Sequence, residues 1–501
     1  MALSWEQKLD AFNQQPRRWL TVLAFLLAIQ ISPHWYPTPD GCSYLSIARS
    51  IAAGGMPTNL GSRQLYYAPG YPLLISPAFL FSDRPFLLLS IMQWLLTVVF
   101  MLGVYQWSRR LFPPAALVVT ALATVNVEFW CLYRRTLSEI AFMAVLIWLV
   151  NLLNAALTAR SSRDACVRIL LGSLLLAGLV AIRQAGIVFA AGFGAAMIVQ
   201  ACRGRVRWFH AVAGSLVVGI PATFVFLGII HHDRELAVAA QSVTYVDHIT
   251  NSDYNWMAQL IEGIRLRISE IGRITIPGMY KSYARRGDWL NVNMAIYVAW
   301  SSLLLAAWWR LVRQSKDVFA LTLPFYAALY VVWPFDQATR FFVPLVPLLM
   351  TCVWLVFERW QQYRMRILTG LLAAHGAVAI GYWIGVDAPR ARKDNAQWAA
   401  VEQLAAPIRA NGGPVLALHI RDNTALMLQY VLDRHLREAR DSTGVPADVD
   451  WVILSRGVPV FQGFRVYSRA GKYQLVCRKP DGSQAARRFS GDRRFSVLWT
   501  E

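Results

Sequence analysis

The run "FLLLSIMQWLLTVVFMLGVYQW", residues 86–107, contains no charged side chain. A helix needs about 20 such residues to cross a hydrocarbon core of about 30 Å. In lipid each backbone polar group must be satisfied inside its own segment, so the run is read as a spanning helix. Apolar runs of this kind recur at 19–31, 86–107, 115–130, 138–157, 169–182, 187–201, 211–230, 292–311, 318–333, 341–357 and 367–386. Together they predict about eleven crossings. Composition agrees: 56% of residues are hydrophobic and 16% charged, against roughly 25% charged in soluble domains. The expected fold class is a polytopic α-helical membrane protein. No cleavable signal peptide is expected, because "MALSWEQKLDAFNQQPRRW" is long and of mixed charge.

A net charge of +20 could suggest nucleic acid, but the cations are placed otherwise. They gather in alternate loops: Arg17 and Arg18, Arg109 and Arg110, Arg160 to Arg168, Arg203 to Arg207, Arg310 to Lys316, and Arg359 to Arg366. Cytoplasmic loops of membrane proteins carry this excess. The expectation is a multi-pass protein of the bacterial inner (plasma) membrane with a cytoplasmic N-terminus and no nucleic-acid partner. An odd number of crossings sends the C-terminal segment to the periplasm. The cysteines at 42, 131, 166, 202, 352 and 477 form no CxxC pair, so they are read as packing residues rather than as disulfides or zinc ligands.

Beyond residue 387 the pattern changes. "DNAQWAAVEQLAAPIRANGG" reads as a helix closed by glycine, "PVLALHI" and "VDWVILSR" as buried strands, and "FRVYSRAGKYQLVCRKP" as a hairpin around Ala470-Gly471. Residues 1–386 are therefore expected to form the transmembrane domain, with outer loops at 32–85 and 231–289. Residues 387–501 are expected to form a small soluble periplasmic α/β domain.

On this topology the unusual polar residues fall on the outer face. Asp40 opens "DGCSYLSIARSIAAGG". Its simplest role is that of an N-cap for a short amphipathic helix lying in the membrane interface. Pro69 and Pro72 bracket a rigid Gly70-Tyr71 turn. Arg134, Arg135 and Glu139 sit at a span end, where snorkelling and the helix dipole account for them individually. Arg183 lies between two apolar runs with almost no loop, and an ionisable group at that depth is costly unless paired. Asp336 and Arg340 are four apart, the spacing of an ordinary surface pair. An arginine fork is equally suited to the oxygens of a lipid-borne phosphate.

With these segments in view, the chain resembles the C-type (GT-C) membrane glycosyltransferases that use polyprenyl-phosphate sugars, in the branch akin to bacterial protein O-mannosyltransferases and lipid A aminoarabinose transferases. The likeness rests on "DGCSYLSIARSIAAGG" with "YYAPGYPLL", on "YRRTLSEIAF", on "GLVAIRQAG" and on "RFFVPLVPLL", in register over residues 20–360. The resemblance implies transfer of one sugar from a polyprenyl-phosphate donor to a lipid, glycan or protein acceptor, with inversion, at the outer face. It implies that Asp40 is the catalytic base and that Glu139 is a second catalytic-site acid positioning the acceptor or Asp40. Arg340 and Arg183 would bind the donor phosphate, and Tyr67 and Tyr71 would line the donor pocket. Many relatives carry Asp-Glu where this chain has Asp40-Gly41, and the first loop has no other acid before Asp83. No cofactor is therefore expected to be required; a divalent metal is possible but not indicated. Two other readings remain. A transporter or flippase would show repeated halves, which are not visible. A polymerase or ligase using a pyrophosphate-linked glycan would need more arginine outside, and the second outer loop offers Arg265, Arg267, Arg273, Lys281, Arg285 and Arg286.

Overall fold

The computed structural model describes residues 14–63, 67–240, 256–277, 292–315, 317–333, 338–412, 415–418, 423–434, 436–439, 449–455, 464–470 and 473–478. It contains two compact units. One comprises Met1–Pro33, Tyr66–Ile75 and Leu87–Ile384; the other comprises His34–Leu65, Ser76–Phe86 and Gly385–Glu501.

The first unit is helical. Among the described residues seven helices are long and apolar enough to span: Phe86–Leu111, Glu139–Leu157, Ser162–Ile182, Gln184–Cys202, Trp208–Leu236, Val292–Ser315 and Gln361–Asn395. An eighth arises if Pro113–Thr124 and Val127–Tyr133, bent by 54°, act as one broken span. The eleven expected crossings are not reached by this measure. Pro16–Ala28, Val318–Val331 and Val346–Val356 have 13, 14 and 11 residues, and at about 1.5 Å per residue each falls short of the core thickness.

Helix position follows side-chain character. The Trp208–Ala240 helix leaves Phe209, Val212, Leu216, Ile220, Phe224 and Leu227 exposed, a stripe that water would penalise and lipid accepts. The Glu139–Leu157 helix is instead buried along most of its length. The Phe86–Leu111 helix approaches it closely at Gly103, where an added Cβ would lie 2.4 Å from Ile147 Cγ2. Asn151 Nδ2 donates to the Gly103 carbonyl at 2.9 Å. Near the end of the same pair of helices, Asp317 accepts from Trp107 Nε1, Arg110 Nη2 and Asn154 Nδ2 at 3.1, 2.5 and 2.8 Å, which ties three segments together.

The second unit contains the C-terminal sheet expected from the strand patterns. Its order is β2-β1-β3-β5-β4, with β1 Val415–Leu418, β2 Arg437–Ala439, β3 Trp451–Ser455, β4 Phe464–Ala470 and β5 Tyr473–Arg478. β1 runs parallel to β2 and β3, while β3–β5 and β4–β5 are antiparallel. The turn of the expected hairpin, residues 471–472, lies outside the described residues. Val449, Val452, Leu454, Phe464 and Val476 form the sheet core.

The same unit contains the first-loop helix, Pro39–Ala52. Its N-cap is Thr38 rather than Asp40: Thr38 Oγ1 accepts from Gly41 N at 3.0 Å. Nor does this helix turn an apolar face outward, as the interfacial reading required. Gly41 to Ala48 are buried without interruption, and the helix packs on Ser76–Leu80 and on the Thr424–Leu432 helix. Its modest amphipathicity is satisfied by protein on both faces.

Candidate active site

Within the first unit, three segments far apart in sequence meet at one carboxylate. Glu139 opens the Glu139–Leu157 helix and is fully buried. Arg340, from the 3-10 turn Ala338–Phe341, reaches Glu139 Oε1 through Nε at 2.8 Å and Nη2 at 2.7 Å. Arg183 Nη1 reaches the same oxygen at 2.7 Å. Arg183 is the single extended residue (φ −150°, ψ 125°) joining the Ser162–Ile182 helix to the turn Gln184–Ile187, so its placement is set by two helix ends rather than by a loop. A buried carboxylate is stable only when paired, and its seat at a helix N-terminus adds favourable dipole interaction.

An aromatic wall holds the cations. The Arg183 guanidinium lies 5.9 Å from the Phe142 ring and 6.0 Å from Phe341. Arg267 approaches Phe341 and Phe342 at 5.9 and 5.7 Å, distances at which ring quadrupoles attract cations. Tyr330 stacks on Phe341 at 4.2 Å, and Tyr326 Oη donates to the Phe341 carbonyl at 2.7 Å. The backbone next to Arg340 is thus pinned from the Val318–Val331 helix.

Thr339, beside Arg340, grips a second buried acid: its Oγ1 donates to Glu128 Oε2 at 2.6 Å. Arg273 Nη2 meets Glu128 Oε1 at 3.5 Å, and Arg267 Nη1 meets Glu270 Oε2 at 2.8 Å. Glu128 sits just after the bend in the broken helix pair. Asn126 caps the new segment there, accepting from Glu128 N and Phe129 N at 3.1 and 3.3 Å, and donates Nδ2 to the Ile274 carbonyl at 2.7 Å. Arg135 adds its field to Glu128, and Arg134 is buried at the end of the same segment. Among the described residues Arg183, Arg267, Arg273 and Arg340 are thus gathered with Glu128, Glu139 and Glu270. A site so rich in guanidinium groups suits an anion.

The Pro69–Pro72 turn docks beside this cluster. A Cβ on Gly70 would stand 2.6 Å from the Ala181 carbonyl carbon and oxygen, so the turn lies directly on the backbone leading into Arg183. Tyr71 is fully buried, and its hydroxyl accepts from Gln93 Nε2 at 2.7 Å. Gln93 also reaches the Leu137 carbonyl at 3.4 Å, linking the turn to the strand of chain before Glu139. Tyr71 is thus tied to the segment that leads into Glu139, while Tyr67 is half-buried.

Asp40 belongs to the second unit, half-buried in the first turn of its helix. Asp336, Lys281, Arg285 and Arg286 lie outside the described residues. Of the remaining second-loop arginines, Arg265 pairs with Glu262 at 2.5 Å, and Arg267 and Arg273 pair as above. Among the described residues no three His, Cys, Asp or Glu side chains come together to hold a metal ion. Sequence reading does not single out Glu128, Glu270, Thr339, Tyr326 or Tyr330. For Glu128 a signal exists, since it is an acid inside the apolar run 115–130.

The chain is similar in structure to the oligosaccharyltransferase of Archaeoglobus fulgidus in complex with Zn and sulfate, with TM-score 0.55 and 12% identity over 87% of this chain and 68% of that one. It is similar to AglB of the same organism in complex with an inhibitory peptide and a dolichol-phosphate, with TM-score 0.54 and 13% identity over 90% and 70%. It is also similar to ArnT from Cupriavidus metallidurans in the apo state, with TM-score 0.52 and 13% identity over 93% and 98%. No family model and no curated protein sequence matches the chain. At these identities the likeness is one of architecture, and it extends across nearly all of ArnT: the chain has the C-type (GT-C) membrane glycosyltransferase fold.

Proposed function

We propose that this protein is an integral membrane glycosyltransferase that moves one sugar from a polyprenyl-phosphate donor to an acceptor at the periplasmic face of the bacterial inner membrane. The observation that carries this reading is the convergence of Arg183 and Arg340 on Glu139 in a GT-C fold. Two guanidiniums share one buried carboxylate oxygen. A phosphate accepts an arginine fork bidentately in the same way as a carboxylate.

In the proposed reaction an acceptor oxygen or nitrogen attacks the anomeric carbon as the bond from that carbon to the phosphate oxygen breaks. The electron pair stays on the phosphate, where Arg340 and Arg183 offset the developing charge. The proton leaves the acceptor for Asp40, acting as general base. A single displacement of this kind inverts the configuration. Glu139 holds the two guanidiniums together between turnovers. No metal enters the scheme.

Purified protein in nanodiscs, supplied with radiolabelled polyprenyl-phosphate hexose or pentose and envelope extract, tests the reading. Asp40→Asn is expected to abolish transfer while leaving folding intact; undiminished turnover in that variant removes Asp40 from the role of base. Mass spectrometry of envelope glycans from a deletion strain identifies the sugar and acceptor.

A further inference from the structure

The helix that carries Asp40 is held by the C-terminal domain at both ends. Ahead of it, Trp35 is buried, its ring stacked on Phe86 at 5.5 Å and 7° and on Trp398 at 6.2 Å and 18°. The Asn395 side chain pairs with the Trp35 backbone as a neighbouring strand would: Trp35 N donates to Asn395 Oδ1 at 3.2 Å, and Asn395 Nδ2 donates to the Trp35 carbonyl at 2.8 Å. Trp398 Nε1 fixes the same amide, donating to Oδ1 at 3.0 Å.

At the other end, Asp433 closes the Thr424–Leu432 helix in the left-handed conformation, φ 51°. Its Oδ1 accepts from Ser46 Oγ at 2.6 Å and meets Arg49 Nη2 at 2.9 Å. Arg49 also donates to the Tyr430 carbonyl at 3.0 Å, with its guanidinium 4.8 Å from that ring. Midway along, Cys42 Sγ donates to the Leu426 carbonyl at 3.5 Å. Loops leaving a membrane helix are ordinarily among the least ordered parts of a protein. This one is anchored before, within and after the turn bearing the carboxylate.

We infer that the C-terminal domain is a positioning device for the base, with Asn395 and Asp433 as its two fixed points on residues 35–49. This rests on the reading of Asp40 as general base. Catalytic groups must be held to within about 0.5 Å, and a misplacement of about 1 Å costs on the order of 100-fold in rate. Asn395 and Asp433 touch no reacting atom in this scheme; they act through the backbone of the segment they hold.

Cys42 reports on the anchorage independently of turnover. It is fully buried, and burial pushes its thiol well above the ordinary range. The thiolate is the reactive form, so alkylation of Cys42 requires the helix to lift. Full-length Asn395→Ala and Asp433→Asn proteins in nanodiscs are compared with wild type for donor kinetics and for N-ethylmaleimide labelling of Cys42, with the exposed Cys166 and Cys202 as internal references. The expected result is a kcat at least tenfold lower with donor KM within twofold, and Cys42 labelling at least tenfold faster. Arg49→Lys, which keeps the ion pair, is expected to retain more of kcat than Arg49→Gln. Unchanged kcat in both variants, or unchanged Cys42 labelling, overturns the inference. If Asn395→Ala does not fold, Asp433→Asn decides, since asparagine tolerates the left-handed conformation and still accepts from Ser46. If instead Asp40→Asn retains turnover, the assignment of the base fails, while Cys42 labelling still decides whether Asn395 and Asp433 hold the segment.

Discussion

Arg183 and Arg340 each bring a guanidinium nitrogen to 2.7 Å from the same oxygen, Oε1 of Glu139. Like charges are brought together only because a buried anion lies between them, so the arrangement is stable as a triad and unstable as a pair.

Neutralising Glu139 should therefore cost more than removing either arginine. Glu139→Gln leaves two cations facing each other in a desolvated pocket, and breaking a buried ion pair from one side costs about 3–5 kcal/mol. The expected outcome is a clearly lowered Tm for the detergent-solubilised variant, partly recovered in Glu139→Gln/Arg183→Gln. A Tm equal to wild type for the single variant contradicts the triad.

Donor binding should depend on the shape of Arg340 as well as its charge. Loss of a charge-assisted hydrogen bond costs about 1.5–3 kcal/mol, so Arg340→Ala is expected to raise donor KM by on the order of 10- to 100-fold. Arg340→Lys should fall between, because an ammonium lacks the planar fork. Initial rates over a donor concentration series settle the point, and an unchanged KM in both variants counts against phosphate contact.

The approach of Gly70 to the Ala181 backbone allows a steric test. Its added Cβ would meet backbone atoms at 2.6 Å, which cannot rotate away, and overpacking of this kind costs about 1–3 kcal/mol. Gly70→Ala is expected to lower both Tm and turnover by shifting the turn off the Arg183 junction. Gly178, in the same helix as Ala181, has nothing within 4 Å of an added Cβ. Gly178→Ala should be neutral or slightly stabilising by helix propensity. Equal behaviour of the two variants refutes the close approach.

Sidedness can be read from native thiols. Cys166 and Cys202 are exposed beside the basic loops, which lie on the cytoplasmic side in the proposed orientation. A membrane-impermeant maleimide should label them in inverted vesicles and leave them unlabelled in intact spheroplasts. The opposite pattern reverses the proposed orientation.

The membrane class and the small C-terminal sheet are both properties of short stretches. They follow from the solvent each residue prefers and from a local period, so they are legible in sequence. The isolated charge of Arg183 is legible for the same reason. Other features are not local. That Glu139, Arg183 and Arg340 share one oxygen, that adjacent Thr339 and Arg340 grip two different acids, and that Asn395 pairs with the Trp35 backbone depend on helices packed across hundreds of residues. Thr38 takes the cap from Asp40 for a related reason, since both side chains are capable of capping and the chain's path into the helix selects between them. Hydropathy decides which segments leave water; only the packed fold decides which charges, once out of water, have each other as partners.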